Sequence, residues 1–338
     1  MLFVITALLA GFAAFLLWQR YNGFAETRLT GIEAGETLVV EQGDSFPVVL
    51  RKLRKIGVSQ GHALEWQALA RQLGAAGKIQ VGEYALAPSS TPRALLVAMR
   101  DGKVISYRFT IVEGWNIREL RAALARSATL QKESETLDDA ALMTSLGHAG
   151  QHPEGRFLPE TYQYNRGDSD LDVLKRAHAA MVKALDAAWE KRATDVPVKS
   201  KEDALTLASI VEKETGIASE RAQIAGVFSR RLKLGMLLQT DPTVIYGMGS
   251  AYNGNIRRQD LQTDTPYNTY TRAGLPPTPI AMPGVDALNA ATNPAAGVAL
   301  YFVAVGDGSG RHLFASTLQQ HNANVSAYVQ RYRRQQAQ

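Results

Sequence analysis

An uncharged apolar run at the amino terminus restricts the fold most, because such a segment is stable only in a membrane or a buried core. Leu2–Trp18 contains no charged residue and no proline. About 17 residues at about 1.5 Å each make a helix roughly 26 Å long, the short end of what spans a hydrocarbon core. Trp18, Arg20 and Tyr21 then supply an interfacial, polar flank. We predict a transmembrane anchor over residues 1–20 and a polar linker over residues 21–35.

A cleaved secretory signal is the alternative for this segment. Its usual marks are a basic region before the apolar run and a small-x-small cleavage site after it. The chain has no Lys or Arg before the run, and the bulky sequence FLLWQRY ends it. These features favour an uncleaved single-pass anchor. Charge leaves its orientation open, because Arg20 and Arg28 follow the run but long domains translocate largely regardless of such counts.

Composition excludes several classes of site. The 338 residues include no cysteine, so disulfides, thiolate metal sites and cysteine nucleophiles are excluded. The net charge of +5 comes without a basic run, so we expect no nucleic-acid partner. The nucleotide-binding, metalloprotease and serine-hydrolase motifs are absent, and the six histidines are scattered, so we expect no metal or cofactor. Carboxylates, hydroxyls and amides remain, which suit carbohydrate chemistry.

The periodicity of the chain predicts an α+β protein of two parts. A strand, two helices, a strand and a further helix are expected over residues 36–105, which form a small module. Residues 106–332 form a larger α+β domain that includes a loop-rich stretch over 235–297. A hairpin over 299–315 and a helix over 318–332 end this domain, and residues 333–338 form a solvated tail.

Glu214 is a candidate catalytic residue in the helix predicted over 205–215. At helical spacing it lies above Ile210 and Val211 on an apolar arc, close to the carboxyl end of the helix. Desolvation and the negative end of the helix dipole both raise a carboxyl pKa. A carboxyl that is neutral near pH 7 is what a general acid requires. The pattern also allows Glu212 and Glu214 to be rim residues paired with Lys213, Arg221 or Arg230, so periodicity does not establish a catalyst.

Two further stretches carry groups that suit a sugar ring. The loop-rich region combines hydrogen-bonding side chains with flat aromatic rings: Gln239, Asp241, Thr243, Tyr246, Asn268 and Tyr270. The alternative is that these are turn residues of an ordinary irregular region. In the stretch over 154–164, Glu160 lies among aromatic residues, either in a cleft or on its rim.

Seven motifs occur in an order that closely resembles the YceG-like family of endolytic murein transglycosylases. They are EGW (113–115), EGRFLPETY (154–162), LASIVEKET (207–215), LGMLLQTDPTVIYGMG (234–249), TPYNTY (265–270), GLPPTPIAMPG (274–284) and YFVA (301–304). The resemblance covers nearly the whole chain, including the anchor.

This resemblance implies a bacterial protein with a single inner-membrane span and a periplasmic soluble part. Residues 36–105 would be a LysM-like module and residues 106–332 the catalytic domain. Such proteins cut nascent peptidoglycan strands internally between N-acetylmuramic acid and N-acetylglucosamine. They leave 1,6-anhydro-N-acetylmuramic acid ends and are thought to terminate strand elongation. Peptidoglycan is then the substrate, the inner membrane is a partner, and peptidoglycan synthases are candidate protein partners.

The resemblance also implies that Glu214, the second glutamate of the LASIVEKET motif, acts first as acid and then as base. Substrate positioning is assigned to Gln239, Asp241, Thr243, Tyr246, Asn268 and Glu160. A hydrolase is one alternative, with Glu212, Glu160 or Asp241 as a second carboxylate. A catalytically silent wall-binding scaffold that acts through the small module is the other.

Overall fold

The structure, a computed structural model, describes residues 2–87 and 89–336. Met1 of the predicted anchor, Pro88 of the small module and residues 337–338 of the predicted tail lie outside the described residues. The chain forms two compact units. The first extends to Arg108 and includes Gln163–Asp168, and the second contains Phe109–Tyr162 and Ser169 onward.

The first unit begins with a long apolar helix, α1 (Leu2–Glu26). Large apolar side chains of its amino-terminal part, such as Val4, Leu8 and Phe12, are exposed. The stretch Val4–Glu26 is long and apolar enough to cross a membrane.

The end of α1 packs against the module, which differs from the polar linker predicted over 21–35. Phe24, Ala25 and Leu29 are buried in the core of the first unit. The Phe24 ring meets Trp66 edge to face, with 5.3 Å between ring centroids. Burial of these apolar side chains is the physical reason that the helix continues to Glu26.

Two short strands and three helices form the rest of this unit: β1 (Thr37–Val40), α2 (Phe46–Ile56), α3 (Ala63–Gln72), β2 (Gly82–Ala85) and α4 (Pro92–Arg100). The strands β1 and β2 are antiparallel, with Thr37 opposite Ala85. Gly57 ends α2 at φ 111°, and a Cβ there would lie 2.2 Å from the carbonyl oxygen of Gly31. At the start of α4, the Thr91 side chain accepts a hydrogen bond from the Ala94 amide, and Pro92 occupies the first helical position, where proline is common.

The second unit is mainly helical. β3 (Ser106–Thr110) pairs with β4 (Thr161–Asn165). The helices are α5 (Ile117–Arg126), α6 (Asp139–Ser145), α7 (Asp170–Glu190), α8 (Lys201–Glu214), α9 (Ala218–Lys233), α10 (Asp241–Met248), α11 (Arg258–Gln262), α12 (Val285–Thr292) and α13 (Leu318–Gln336). β5 (Tyr301–Ala304) and β6 (His312–Ala315) form the predicted antiparallel hairpin. The chain is therefore an α+β protein.

Helix α8 lies at the centre of the second unit, where α7, α9, α10 and α12 contact it. All eight residues from Ala204 to Val211 are buried. The helix is therefore packed on all sides over these two turns, whereas its periodicity predicted only one apolar face. Small side chains allow this close approach: the Ser209 hydroxyl accepts a hydrogen bond from the Ile280 amide at 3.0 Å. The core therefore fixes the position of the last turn of α8.

Three helices, α10, α11 and α12, lie in the stretch over 235–297 that was predicted to be loop-rich. In α10, Pro242 occupies the first turn, where its missing N–H costs nothing. In α12, Ala287, Leu288 and Ala291 are buried against α8 and α9. At the carboxyl end, α13 continues to Gln336, so residues 333–336 of the predicted tail are helical.

Candidate active site

Glu214 is the last residue of α8. A capping box starts this helix: the Ser200 hydroxyl accepts from the Asp203 amide, and the Asp203 carboxylate accepts from the Ser200 amide. Thr215 is extended, with φ −148°, and ends the helix. A buried helix with a defined start and end therefore holds this carboxyl group, which keeps part of its surface exposed.

The surroundings of Glu214 favour its neutral form. Burial raises the pKa of the Glu214 carboxyl to about 7, and the negative charge of Asp241 also raises it. The Thr240 hydroxyl donates a hydrogen bond to Oε1 of Glu214 and lowers the pKa in part. Within the described residues, no ion pair involves Glu214. A substantial fraction of this group therefore carries a proton at neutral pH.

A cavity of about 660 Å³ opens onto Glu214. The segment between α9 and α10, strand β5 and helix α13 all contribute to its lining. The lining residues beside Glu214 are Arg231, Leu238, Gln239, Thr240, Asp241, Tyr270, Tyr301, Phe302, Val303, Leu318, His321, Asn322 and Val325. The carboxyl thus faces a space that combines polar groups with aromatic rings, as sugar binding requires.

Arg231 lines this cavity although it is only 7% exposed. Its guanidinium donates to the carbonyl oxygen of Leu300 at 2.6 Å and to those of Leu237 and Leu238 at 3.0 Å. It also lies over the Tyr301 ring, 5.0 Å from the centroid. Arg231 therefore ties β5 to the segment that precedes α10.

Gln239 takes an unusual backbone conformation beside the same arginine. Its φ is 52°, the single positive φ of a non-glycine residue within the described chain. Such a conformation costs of order 1–2 kcal/mol and persists where surrounding contacts impose it. Here the Gln239 amide donates to the Thr269 carbonyl at 3.1 Å, and its side chain accepts from Arg231 at 3.3 Å.

Asp241 is the second carboxylate at the cavity. It is exposed at the first turn of α10, and its Oδ1 accepts a 2.5 Å hydrogen bond from the Tyr270 hydroxyl. Within residues 2–87 and 89–336, no group of three or more His, Asp or Glu side chains is placed to hold a metal ion.

Comparison with known proteins identifies the family. A model of the YceG-like family matches residues 38–327. The chain belongs to the YceG-like family. This confirms the resemblance that the seven motifs indicated.

This YceG-like protein is similar to two named bacterial proteins and to one solved structure. The endolytic murein transglycosylase of Bacillus subtilis (strain 168) is 31% identical over 310 residues, which cover 86% of this chain and 84% of that protein. The endolytic murein transglycosylase of Streptococcus pneumoniae serotype 2 is 28% identical over 329 residues, 87% of this chain but 58% of that longer protein. A crystal structure of a yceG-like protein from Listeria monocytogenes aligns with a TM-score of 0.55 and 28% identity, over 86% of this chain and 99% of that one.

The YceG-like fold brings together four of the residues selected from the sequence: Glu214, Gln239, Asp241 and Tyr270 line one cavity. Thr243 and Asn268 are buried outside it. The Thr243 hydroxyl bonds with Thr240 and Thr269, and the Asn268 side-chain amide donates to the carbonyl oxygens of Asp260, Leu261 and Thr263. Both residues therefore hold the loop in shape from within.

Tyr246 and Glu160 lie elsewhere. Tyr246 lines a different cavity, of about 610 Å³, with Arg118 over its ring. Glu160 is exposed, and its carbonyl oxygen accepts a hydrogen bond from the Ile111 amide. Neither residue lines the Glu214 cavity.

Glu212 belongs to an ion-pair group away from the Glu214 cavity. Its carboxylate accepts from the Gly284 amide at 2.9 Å and lies 3.5 Å from Arg221. Arg221 also faces Glu113 and Asp286. The pairing with Arg221 that the pattern allowed therefore exists for Glu212.

Two features of the second unit are not indicated by the sequence motifs. Glu154 is fully buried, and both of its carboxyl oxygens accept from the Ile117 amide at 3.1 Å. Burial raises the pKa of this carboxyl to about 7 as well, but the residue supports the start of α5 and lies outside the Glu214 cavity. The other feature is the wall formed by Tyr301, His321 and Asn322, which no local pattern connects to Glu214.

Proposed function

We propose that this YceG-like protein is an endolytic lytic transglycosylase that cleaves peptidoglycan strands, with Glu214 as its acid–base residue. The observation that carries the proposal is the Glu214 carboxyl itself. Its pKa is near 7, and it faces a polar and aromatic cavity at the end of a buried helix. The names of the relatives in Bacillus subtilis and Streptococcus pneumoniae support the same activity.

In this mechanism one carboxyl group transfers two protons. Glu214 first protonates the oxygen that bridges N-acetylmuramic acid and N-acetylglucosamine, and the bond breaks through an oxocarbenium-like state. The Thr240 hydroxyl, which donates to Glu214, stabilises the carboxylate that results. That carboxylate then takes the proton of the muramic C6 hydroxyl while the C6 oxygen bonds to C1. The 1,6-anhydro ring forms, Glu214 is protonated again, and no water is consumed.

The remaining site residues divide between contact and support. We assign sugar positioning to Gln239 and Asp241, because both are exposed at the cavity. Thr243 and Asn268 act through the loop that they hold, and Tyr246 and Glu160 have no part in this site.

The small module and the anchor complete the proposal. α1 is long and apolar enough to serve as a single inner-membrane span, with the soluble part in the periplasm. The strand–helix–helix–strand order over 37–85 supports a LysM-like module. Cleavage of nascent strands at that location would terminate their elongation, in contact with the peptidoglycan synthases.

Product analysis tests the activity. We expect purified glycan strands digested by the full-length protein to yield internal fragments with 1,6-anhydro ends and no ¹⁸O from labelled water, as measured by mass spectrometry. Hydrolysis remains the second candidate because Asp241, a second carboxylate, shares the cavity with Glu214. Reducing ends that carry ¹⁸O would replace our mechanism by hydrolysis, and intact strands would favour a silent scaffold.

We expect the rate of strand cleavage to fall as the pH rises above neutral. Glu214 must be protonated to start the reaction, and its pKa is about 7. The rate should therefore be constant below that pH and fall about tenfold per unit well above it. A pH profile of kcat/KM measures this. In the wild type, the hydrogen bond from the Thr240 hydroxyl lowers the pKa of Glu214. Thr240→Val removes this bond and should therefore raise that pKa and move the falling limb of the profile to higher pH. An unmoved limb would assign the titration to another group.

A further inference from the structure

A cavity of about 770 Å³ lies in the first unit beside the end of α1. Arg20 and Phe24 of α1 line it together with Arg51 and Arg54 of α2. The start of α3 contributes His62 and Glu65. Nothing in the proposed cleavage reaction uses this cavity.

The lining carries a net positive charge. Arg20 pairs with Glu65 at 3.0 Å but remains 61% exposed. Arg54 donates to the carbonyl oxygens of Val58 and Gln60, at 2.8 and 2.9 Å, and so fixes the loop that forms one wall. Across the described part of the chain, no carboxylate pairs with Arg51 or Arg54. Three guanidinium groups therefore face one carboxylate, and an anion would be attracted.

The continuity of α1 places this cavity at a defined depth. The apolar run ends at Trp18, and the helix continues without a break to Glu26. At about 1.5 Å per residue, Arg20 lies roughly 3 Å and Phe24 roughly 9 Å beyond Trp18. The headgroup layer of a bilayer is about 5–8 Å thick on each side. If α1 spans the membrane as proposed, Arg20 and the end of the cavity nearest to it lie at the level of the lipid phosphates.

We propose that this cavity binds the phosphate group of a membrane-lipid headgroup. Guanidinium groups match phosphate oxygens with paired, charge-assisted hydrogen bonds. The proposal rests on the membrane anchor but not on Glu214 or strand cleavage.

Native mass spectrometry of the full-length protein in neutral detergent tests the site. We expect retention of phosphatidylglycerol and no retention of diacylglycerol, which lacks the phosphate. The double variant Arg20→Gln/Arg51→Gln should bind phosphatidylglycerol roughly tenfold more weakly. Arg71→Gln, an exposed arginine of α3 outside the cavity lining, is the matched control and should bind like the wild type.

Three results would overturn the proposal. Equal retention of diacylglycerol would show that acyl chains alone bind. Unchanged binding by the double variant would place the lipid elsewhere. Displacement by millimolar glycerophosphoglycerol would show a site for soluble phosphate esters rather than lipids. Membrane fractionation of the full chain checks the anchor separately, and strand cleavage checks the proposed activity.

Discussion

Replacement of Glu214 by glutamine is expected to lower the rate of glycan-strand cleavage by about 10³-fold, because one group performs both proton transfers. The amide cannot protonate the bridging oxygen or accept the C6 proton, yet it can still accept the Thr240 hydrogen bond. Fold and substrate affinity should therefore persist. The measurement is the initial rate of formation of anhydro ends, together with the melting temperature of each protein.

Glu202→Gln provides the matched control on the same helix. Glu202 lies in the first turn of α8, is 66% exposed and faces Arg156 at 3.6 Å. Loss of this surface pair should leave cleavage unchanged and alter stability by less than about 1 kcal/mol. Cleavage by Glu214→Gln at the wild-type rate would refute the assignment of the acid, even if the anhydro products are real.

Replacement of Arg231 by methionine is expected to lower the unfolding free energy by about 3 kcal/mol. The guanidinium satisfies the carbonyl oxygens of Leu237, Leu238 and Leu300, and methionine would leave them without that donor. The melting temperature should fall by roughly 6–12 °C for a unit of this size. Cleavage should fall too, because Gln239 loses its contact with the same guanidinium.

Lys233→Met separates this effect from simple loss of a positive charge on α9. Lys233 pairs with the exposed Asp195 at 2.6 Å, so its replacement should cost less than about 1 kcal/mol. Calorimetry of both variants and the wild type makes the comparison. If Arg231→Met had the same melting temperature as the wild type, the guanidinium would not stabilise the second unit as we describe.

Helix α8 is the element whose sequence pattern agreed best with the structure. Apolar spacing placed Glu214 beside Ile210 and Val211 near the end of a helix, and the structure has α8 end at that residue. The raised pKa follows from burial, as the pattern suggested. Pattern alone could not separate Glu212 from Glu214, because the difference lies in residues from other helices. Glu212 pairs with Arg221 of α9, whereas Glu214 lies close to Asp241 of α10.

The polar loop was harder to interpret. Thr243 and Asn268 have the same hydrogen-bonding groups as residues that contact a sugar, but their groups are used inside the loop. Gln239 and Asp241 are exposed because Gln239 adopts a positive φ and Asp241 starts α10. No local pattern predicts that backbone conformation for a glutamine, which is held by contacts with Thr269 and Arg231.

Local sequence was sufficient for the apolar amino-terminal helix, the family motifs, the carboxyl-terminal hairpin and the helix that carries Glu214. These features depend on interactions between residues close in the chain, such as helical periodicity and capping. The cavity required the folded chain, because Tyr301 and His321 reach Glu214 from about a hundred residues away. Long-range packing around α8 sets which carboxyl group is desolvated, and desolvation sets its pKa.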